Sequence, residues 1–260
     1  MISKYNLATI SPDVDGATFN AATGGTDIVF DWTPMLIPNG SCVIKSISGT
    51  IMGTDGGVQT DADFRLYFAK SINGVAPSSF GTAHAAQGVN QAAAFRRNIL
   101  GAILVDMGAS DDADNLIAYH VFQSKSTVAG ATAGELLRDV MLQGEANVTT
   151  HGYQTIYVAM ELIGAALDFG TAVTLNMGGS ANVAADTTGA SVALTTTGTD
   201  PRLVFQPGDS IVGSTGTVEM EVVSVTDATN MAVKNISAQI DHAEELVHQN
   251  PITLNFGLEY

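Results

Sequence analysis

The sequence predicts a mainly β protein with a jelly-roll-like or β-sandwich main domain, a second small β-barrel domain and few short helices. Two observations predict this fold class. Apolar and polar side chains alternate along many short runs, which is the period of a strand with one buried face. Turn-forming pairs such as Asn73-Gly74 and Pro207-Gly208 separate these runs. The chain of 260 residues is long enough to bury a substantial core in one large or two smaller domains.

The most regular alternation occurs in three runs of the predicted main domain. Their apolar faces comprise Phe64, Leu66 and Phe68 in FRLYFAK, Ile156, Val158, Met160 and Leu162 in QTIYVAMELIG, and Ile252, Leu254, Phe256, Leu258 and Tyr260 in NPITLNFGLEY. The third run ends at the last residue, and chain ends usually fray unless packing holds them. Apolar side chains that contribute roughly 1.5–3 kcal/mol each on burial would provide that packing, so we expect the C-terminus to lie in a sheet.

A change of composition near Gly178 marks the predicted boundary of the second domain. The segment GGSANVAADTTGASVALTTTGTD is rich in Gly, Ala and Thr, and it predicts either a linker or thin strands such as ASVALTTT. After it, four runs predict strands: RLVFQ, DSIVG, TVEMEVVSV and NMAVKNI. We therefore assign residues 1–177 with 251–260 to the main domain, and residues 178–250 to a small β domain that is appended or inserted.

The stretch VEMEVVSVTDATNMAV predicts a hairpin within the small domain. Asp227 and Asn230 lie between its two apolar runs and favour a turn, because such side chains form local hydrogen bonds to the backbone. The alternation changes phase between Val222 and Val223, which indicates a β-bulge or a strand buried on both faces.

Three segments are candidates for helices. AHAAQGVNQAAAFRRNI, from Ala83, fits a helix or a long loop, and GELLRDVMLQGEA fits a strand or a short helix. SAQIDHAEELVHQN is the best candidate, because Ile240, Ala243 and Leu246–Val247 would share one side and Pro251 would end the helix.

The charge composition argues against nucleic acid and membranes as partners. The chain has 26 Asp and Glu against 10 Lys and Arg, a net charge of −16. Nucleic-acid binding draws most of its affinity from cations, and the only basic pair is Arg96-Arg97. Charged residues make up only 14%, against roughly 25% in ordinary soluble domains. Such a surface must be covered by small polar residues or by other protein, which favours an assembly.

The remaining compositional features predict a mature protein made in a reducing cytoplasm. Cys42 is the single cysteine and lies in the apolar run CVIKSI, so we expect a small buried hydrophobe rather than a nucleophile. The N-terminal stretch MISKYNLATISPDVDG lacks the apolar segment of a signal peptide. No apolar run approaches the ~18 residues that cross a bilayer.

We predict no catalytic residue, no cofactor and no enzymatic activity. His242 and His248 are six residues apart, which on a helix is about 600° and places the rings on different faces; a solvated acidic helix is the favoured interpretation. Signatures of a nucleophile elbow, a phosphate-binding loop and a dinucleotide fold are missing. A glycosidase stays open, because paired carboxylates need no local spacing. We interpret Trp32 as a core or interface anchor.

Carboxylates cluster at three places, and one of them is a weak calcium candidate. The clusters are Asp13 and Asp15, Asp61 and Asp63, and Asp111, Asp112 and Asp114. None has the spacing of an EF-hand loop. We predict a solvated hairpin tip at Asp111–Asp114, with calcium binding as the alternative, and no other metal site.

Several stretches resemble virion structural proteins of tailed bacteriophages, particularly those of marine and cyanobacterial phages. They are FDWTPMLIPNGSCVIKSISGTIMGTDG, DFRLYFAKSINGVAPSSFGT, YVAMELIG and GDSIVGSTGTVEMEVVSVTDATNMAV. The resemblance implies a capsid decoration (cement) protein, a trimer that contacts the major capsid protein on the capsid surface after synthesis in the host cytoplasm. A tail-fibre or baseplate adhesive or carbohydrate-binding module is the alternative, and an enzyme on a β fold is the third hypothesis.

The composition fits decoration on physical grounds. A cement protein needs a rigid scaffold, contact surfaces of low charge and chain ends that reach a neighbour, and it needs no reactive groups. The polar N-terminal segment MISKYNLATISPDVDGATFNAATGG is a candidate for such an arm. Strong negative charge suits the outside of a particle and keeps unassembled copies apart at low salt.

Overall fold

A computed structural model describes residues 4–14, 18–19, 27–53, 62–83, 85, 96–112, 119–124, 140–163, 166–178, 180–214 and 217–260. Strands account for 56% and helices for 2%, which confirms the predicted mainly β fold class. The strands are β1 (Tyr5–Ile10), β2 (Thr18–Phe19), β3 (Ile28–Pro38), β4 (Cys42–Ile51), β5 (Phe64–Lys70), β6 (Ile99–Asp112), β7 (Tyr119–Ser124), β8 (Val140–Leu142), β9 (Glu145–Ala146), β10 (Tyr153–Leu162), β11 (Leu167–Asp168), β12 (Val173–Leu175), β13 (Val192–Gly198), β14 (Ser210–Gly213), β15 (Glu219–Val225), β16 (Asn230–Lys234), β17 (Leu246–His248) and β18 (Ile252–Glu259).

A ten-stranded antiparallel sheet forms the larger part of the molecule. Its strands follow the order β1-β18-β4-β7-β6-β5-β10-β3, with β8 on β4 and β9 on β10. The first and last strands of this path, β1 and β3, lie close to each other, so that the sheet nearly closes into a barrel. Side chains from opposite walls meet inside, as in the edge-to-face contact of Phe68 with Phe256, whose ring centroids are 5.8 Å apart.

The alternation of the strands places one face inside this sheet. Phe64, Leu66 and Phe68 of β5 are fully buried. Ile156, Val158, Met160 and Leu162 of β10 are also fully buried. The predicted apolar faces of both runs are therefore confirmed.

The C-terminal strand lies in the interior of the large sheet. β18 pairs with β1 on one side and with β4 on the other, which confirms that the chain end is held in a sheet. Ile252, Leu254, Phe256 and Leu258 are fully buried. The fifth side chain, Tyr260, is 41% exposed, because it follows the last paired residue and extends past the end of the core.

A six-stranded sheet forms the small barrel. Its order is β12-β13-β16-β15-β14-β17. The two ends of this path meet: Thr174 of β12 bridges to Glu245, and the amide of Leu175 donates to the carbonyl of Glu244 at 2.9 Å. The barrel encloses its own core, separate from that of the large sheet, with Leu194, Ile211 and Val233 among its members.

The small barrel lies between β11 and β18 in the chain, and its two ends are adjacent. Glu245 Oε1 accepts from the amides of Thr171 and Ala172 at 2.6 and 2.9 Å, and Thr171 Oγ1 donates to the carbonyl of Leu246 at 2.5 Å. Since β12 begins at Val173, the first strand of this barrel precedes the boundary expected at residue 178.

The β15–β16 hairpin is formed as predicted. β15 pairs antiparallel with β16, and the register shifts between Val222 and Ser224, which confirms the bulge. Asp227 Oδ1 accepts from the amide of Thr229 and from the Asn230 side chain, each at 2.9 Å. The Thr229 amide is the main cause that lowers the pKa of Asp227 below its ordinary value.

The helix predicted over SAQIDHAEELVHQN is wrong. Ile240 forms a bridge with Val183, and Leu246–His248 form β17 on the edge of β14. Between them Ala243 has a φ of 63°, which a helix does not permit. The apolar side chains of this segment are buried in the core of the small barrel, and they reach that core from an extended backbone.

Two further expectations are corrected. RLVFQ forms no strand: Pro201–Leu203 is a 3₁₀ helix, capped by the Asp200 side chain that accepts from the amide of Arg202 at 3.0 Å. The N-terminal segment is irregular only in part, because Tyr5–Ile10 is β1, with Ala8 and Ile10 turned into the core.

Other segments lie largely outside the described residues. These include most of AHAAQGVNQAAAFRRNI and the first half of GELLRDVMLQGEA. The second half of that run forms β8 and β9, as expected for the strand alternative. ASVALTTT contains β13 and is therefore a strand rather than a linker.

Candidate functional site

One outer face of the large sheet is covered by the chain itself. The outer loop, residues 71–83, crosses β3, β10 and β5 and places Phe80 against them. Phe80 is fully buried, with its ring 5.1 Å from that of Trp32 and 4.9 Å from that of Tyr67. Ile28 and Ala159 complete this second hydrophobic layer. We call this region the covered face.

Three carboxylate-centred contacts stabilise the covered face, and two of them hold the outer loop. Asp31 Oδ1 accepts from the amides of Trp32 and Phe80 at 2.7 and 2.6 Å. Glu145 accepts from the amides of Gly74 and Asn73 at 2.7 and 2.6 Å. The Gly74 amide, followed by that of Asn73, lowers the pKa of Glu145 below its ordinary value.

The third contact is a buried polar cluster. Glu161 Oε2 accepts from the Tyr67 hydroxyl at 2.7 Å and from Arg65 Nη1 at 3.1 Å, and Arg65 also donates to the Tyr67 oxygen at 3.0 Å. The Glu161 side chain is only 4% exposed. Burial raises the pKa of the Tyr67 hydroxyl, an effect that the bond from Arg65 opposes. Because two donors share Oε2, we assign this cluster a structural role.

The opposite outer face, on β1, β18, β4 and β8, is not covered by any described segment. The strand registers place Tyr5, Glu259, Val43 and Met141 in one row across these four strands. Tyr5 is 73% and Met141 62% exposed, and Leu7 in the next row is 66% exposed. We call this region the exposed face.

Away from its apolar end the exposed face consists of small polar side chains. Thr9 donates to Asn255 Oδ1 at 2.7 Å, and Asn255 in turn pairs with Ser48. Ser11 and Thr253 are linked by their hydroxyls at 3.1 Å. The charged pair on this face is Lys45 with Glu259, whose atoms are 3.3 Å apart. The face is therefore hydroxyl-rich and nearly neutral.

The carboxylate clusters noted in the sequence are not assembled into a site among the described residues. Asp111 and Asp112 end β6 and pair with Val121 and His120 of β7. Asp114 lies outside the described residues, as do Asp15 and Asp61. In the described part of the chain no group of three or more His, Cys, Asp or Glu side chains comes together. Calcium binding at Asp111–Asp114 stays a prediction.

The two histidines belong to the small barrel. His248 lies in β17 and is buried, with Nε2 2.9 Å from the carbonyl oxygen of Val204 and its ring 4.9 Å from that of Phe205. His242 lies in the turn before β17, where its amide donates to Asn182 Oδ1 at 2.7 Å. The two histidines have different partners, and the helix on which their rings were expected to take different faces does not exist.

Cys42 and Trp32 have the structural roles that the sequence predicts. Cys42 is fully buried, and burial raises the pKa of its thiol. Trp32 donates from Nε1 to the carbonyl of Ser78 at 2.8 Å and packs against Phe80. The other side of Trp32 borders an open groove of about 340 Å³ between the end of β1 and β3, lined also by Ser11, Asp13, Asp31 and Thr33.

Sequence reasoning missed the burial of Glu161 and the existence of the exposed face. The sequence did contain a signal for the burial of Glu161. Glu161 is the only acidic residue in the apolar run VAMELIG, and Arg65 is the only cation within FRLYF. The exposed face had no comparable signal, because its rows join residues from four separate parts of the chain.

Comparison of the chain with models of known protein families and with curated proteins finds no match. Among the described residues no helix combines the length and apolar character that spanning a membrane requires.

Proposed function

We propose that this protein is a structural virion protein, which decorates a phage capsid by associating with itself and with capsid subunits. The observation that carries the proposal is the exposed face, with its apolar row at one end and small hydroxyl side chains along the rest. The resemblance of the sequence to virion structural proteins supplies the capsid as the partner.

The exposed face has the properties of a contact surface. Large exposed apolar side chains that lie together mark interaction sites more often than single ones do. Tyr5 and Leu7 are neighbours along β1 at one end of this face, and Met141 lies three strands away in the row of Tyr5. On the covered face, by contrast, Phe80 is fully buried against the half-buried rings of Trp32 and Tyr67. Near-neutral charge matters here, because a chain with a net charge of −16 repels other copies most weakly where a surface carries no excess charge.

The size of the face fits an assembly that repeats the contact. At about 3.4 Å per residue and ~4.8 Å between strands, the 27 residues of β1, β18, β4 and β8 cover roughly 440 Å² in projection. A standard stable interface buries about 800 Å² on each partner. A single contact would therefore be weak, whereas several contacts made together in a lattice reinforce one another.

A second candidate function rests on the groove beside Trp32. An indole next to the carboxylates of Asp13 and Asp31 and the hydroxyls of Ser11 and Thr33 is chemistry that suits a sugar ring. This groove favours a tail-fibre adhesive or carbohydrate-binding module. Its weakness is that the Trp32 indole nitrogen already donates to Ser78.

Immunogold electron microscopy of virions from the source of this sequence tests the proposal, with an antibody raised against the full chain. We expect gold particles over the capsid surface at many positions per head. Label confined to the tail tip would overturn decoration and support the adhesive. Intact, freshly purified virions without any label would overturn both.

A binding measurement with Trp32→Phe separates the two functions independently. Phenylalanine keeps the contact with Phe80 but loses the indole, so the variant should still fold. We expect wild type and variant to bind a glycan array equally weakly. Strong glycan binding by the wild type that Trp32→Phe abolishes would favour the adhesive function.

A further inference from the structure

The sequence contains two Asn-Gly pairs, Asn39-Gly40 and Asn73-Gly74, and both are exposed in the structure. An asparagine followed by glycine readily loses its side-chain amide, because glycine has no Cβ to shield its backbone nitrogen. The two pairs share this intrinsic chemistry. Any large difference in reactivity between them in the folded protein therefore comes from their surroundings.

The backbone of the second pair is held by Glu145. Its carboxylate accepts from the amides of Asn73 and Gly74 at 2.6 and 2.7 Å. Ile72 and Val75, on either side, exchange backbone hydrogen bonds of 3.0 and 3.1 Å, which close the turn. The Gly74 nitrogen becomes a nucleophile only when it loses its proton. The resulting anion would lie 2.7 Å from a carboxylate, and the repulsion between like charges disfavours it.

The first pair has no comparable restraint on its nitrogen. Among the described residues the amide of Gly40 donates to no acceptor, and the Asn39 side chain forms no hydrogen bond. A Cβ placed on Gly40 would meet no atom within 4 Å, so the space beside this backbone is open to water. The flanking groups are fixed, because the Asn39 amide donates to the carbonyl of Gly152 at 3.1 Å and Gln154 Nε2 donates to the carbonyl of Gly40.

We propose that Asn39 is a site of spontaneous deamidation and that Glu145 protects Asn73 from the same reaction. The Gly40 nitrogen forms a bond to Asn39 Cγ, and the side-chain NH₂ group leaves as ammonia with the proton of that nitrogen. Water then opens the five-membered succinimide at one of its two carbonyls, which leaves an aspartate or an isoaspartate at position 39. The inference is independent of the proposed function, since it requires only this turn and that carboxylate.

The modification changes the turn before β4 in two ways. Either product adds a negative charge, and isoaspartate also adds one atom to the backbone between Pro38 and Gly40. Gln154 Nε2 donates to both of these carbonyls, to that of Pro38 at 3.0 Å. A backbone lengthened at this point displaces one of the two carbonyls from the amide. We therefore expect isoaspartate to lower the melting temperature more than Asn39→Asp does.

Peptide mapping by mass spectrometry tests the proposal on the full chain, incubated at mildly alkaline pH and digested at acidic pH so that digestion adds no deamidation. We expect Asn39 to react at least about tenfold faster than Asn73, the factor that a hydrogen bond to a charged group provides. In Glu145→Ala the reaction at Asn73 should accelerate to a similar extent, whereas the matched control Glu219→Ala, in the small barrel, should leave both rates unchanged. In concentrated urea both asparagines should react at similar rates, because the fold no longer distinguishes them.

Equal rates at the two positions in the folded wild type, or a faster reaction at Asn73, would overturn the proposal. An Asn39 that reacts only in urea would overturn it as well. If Asn73 stays slow in folded Glu145→Ala, the turn rather than the carboxylate protects it, and the role proposed for Glu145 is wrong.

Discussion

The covered face and the exposed face are two outer surfaces of one sheet. The outer loop lies on the first, and no described segment lies on the second. On the covered face the chain buries Phe80, and the buried Glu161 accepts hydrogen bonds from Tyr67 and Arg65. On the exposed face Tyr5 and Leu7 project from strands that no described segment covers. The inner sides of both faces share one core.

This difference distinguishes a face whose apolar side chains are covered within the chain from a face whose apolar side chains are available to a partner. Among the described residues, the outer loop, residues 71–83, buries a second apolar layer on the covered face, and no segment does so on the exposed face. The structure therefore reveals no role for the apolar row of the exposed face in the stability of the single chain. We infer that it is retained for contact with another molecule.

The largest expected effect comes from removing β18, one of the strands that form the exposed face. Deletion of residues 251–260 removes four fully buried side chains from between β1 and β4. At roughly 1.5–3 kcal/mol each, this loss approaches the whole free energy of unfolding of a typical domain. We expect an insoluble or unfolded product by circular dichroism, while deletion of Tyr260 alone leaves the fold intact. A truncated chain that melts like the full one would refute the role of β18.

The second largest expected effect compares how much one apolar side chain on each face contributes to the free energy of unfolding. Phe80→Ala removes the centre of the covered layer and should lower the free energy of unfolding by about 3 kcal/mol. Leu7→Ala on the exposed face is the matched control and should change it by less than about 0.5 kcal/mol. Urea denaturation of both variants measures the difference. Equal losses for the two would mean that Leu7 is packed in the single chain, against the account given above.

The ion pairs of Glu161 and Glu259 allow a similar comparison of the two faces, with smaller expected changes in the free energy of unfolding. Glu161→Ala breaks a pair whose carboxylate is buried, and should lower the free energy of unfolding by about 2 kcal/mol. Glu259→Ala breaks the pair with Lys45, which is partly exposed to water, and should lower the free energy of unfolding by less than about 1 kcal/mol. If the Glu259 variant is the less stable of the two by thermal melting, the covered cluster is not the structural contact described here.

The smallest effect depends on pH and concerns the anchor of the outer loop. The pKa of Glu145 is lowered in the folded state, chiefly by the Gly74 amide. A lowered pKa means that the carboxylate stabilises the fold above its ordinary pKa and that this contribution is lost as the pH falls through the folded value. We expect Glu145→Gln to melt below the wild type at pH 7, and the gap to narrow as the pH falls below the ordinary pKa of a glutamate. A gap that stays constant as the solution is acidified would contradict this.

The sequence allowed most strand faces to be predicted, because one buried side imposes a period of two. The alternation in FRLYFAK and NPITLNFGLEY was sufficient to place Phe64 and Phe256 inside. It failed over residues 237–250, where Ile240 and Leu246 reach the barrel core through a turn at Ala243 instead of a helix. Periodicity over so few apolar residues does not distinguish the two geometries.

The candidate site could not be predicted in the same way. Tyr5 and Met141 come into one row only through the pairings of β1, β18, β4 and β8, which join distant parts of the chain. Glu161 meets Arg65 and Tyr67 only through the pairing of β10 with β5. Both depend on which strands become neighbours, and the alternation within each strand carries no information about that.

The most direct test of the exposed face as an assembly surface is sedimentation velocity of three full-length proteins across a range of concentrations. They are the wild type, Tyr5→Ser with Leu7→Ser, and the control Val75→Ser with Val148→Ser, whose positions are also highly exposed but lie elsewhere. We predict an oligomer for the wild type and the control, and a monomer with an unchanged melting temperature for the face variant. A face variant that sediments as the same oligomer as the wild type would contradict the account.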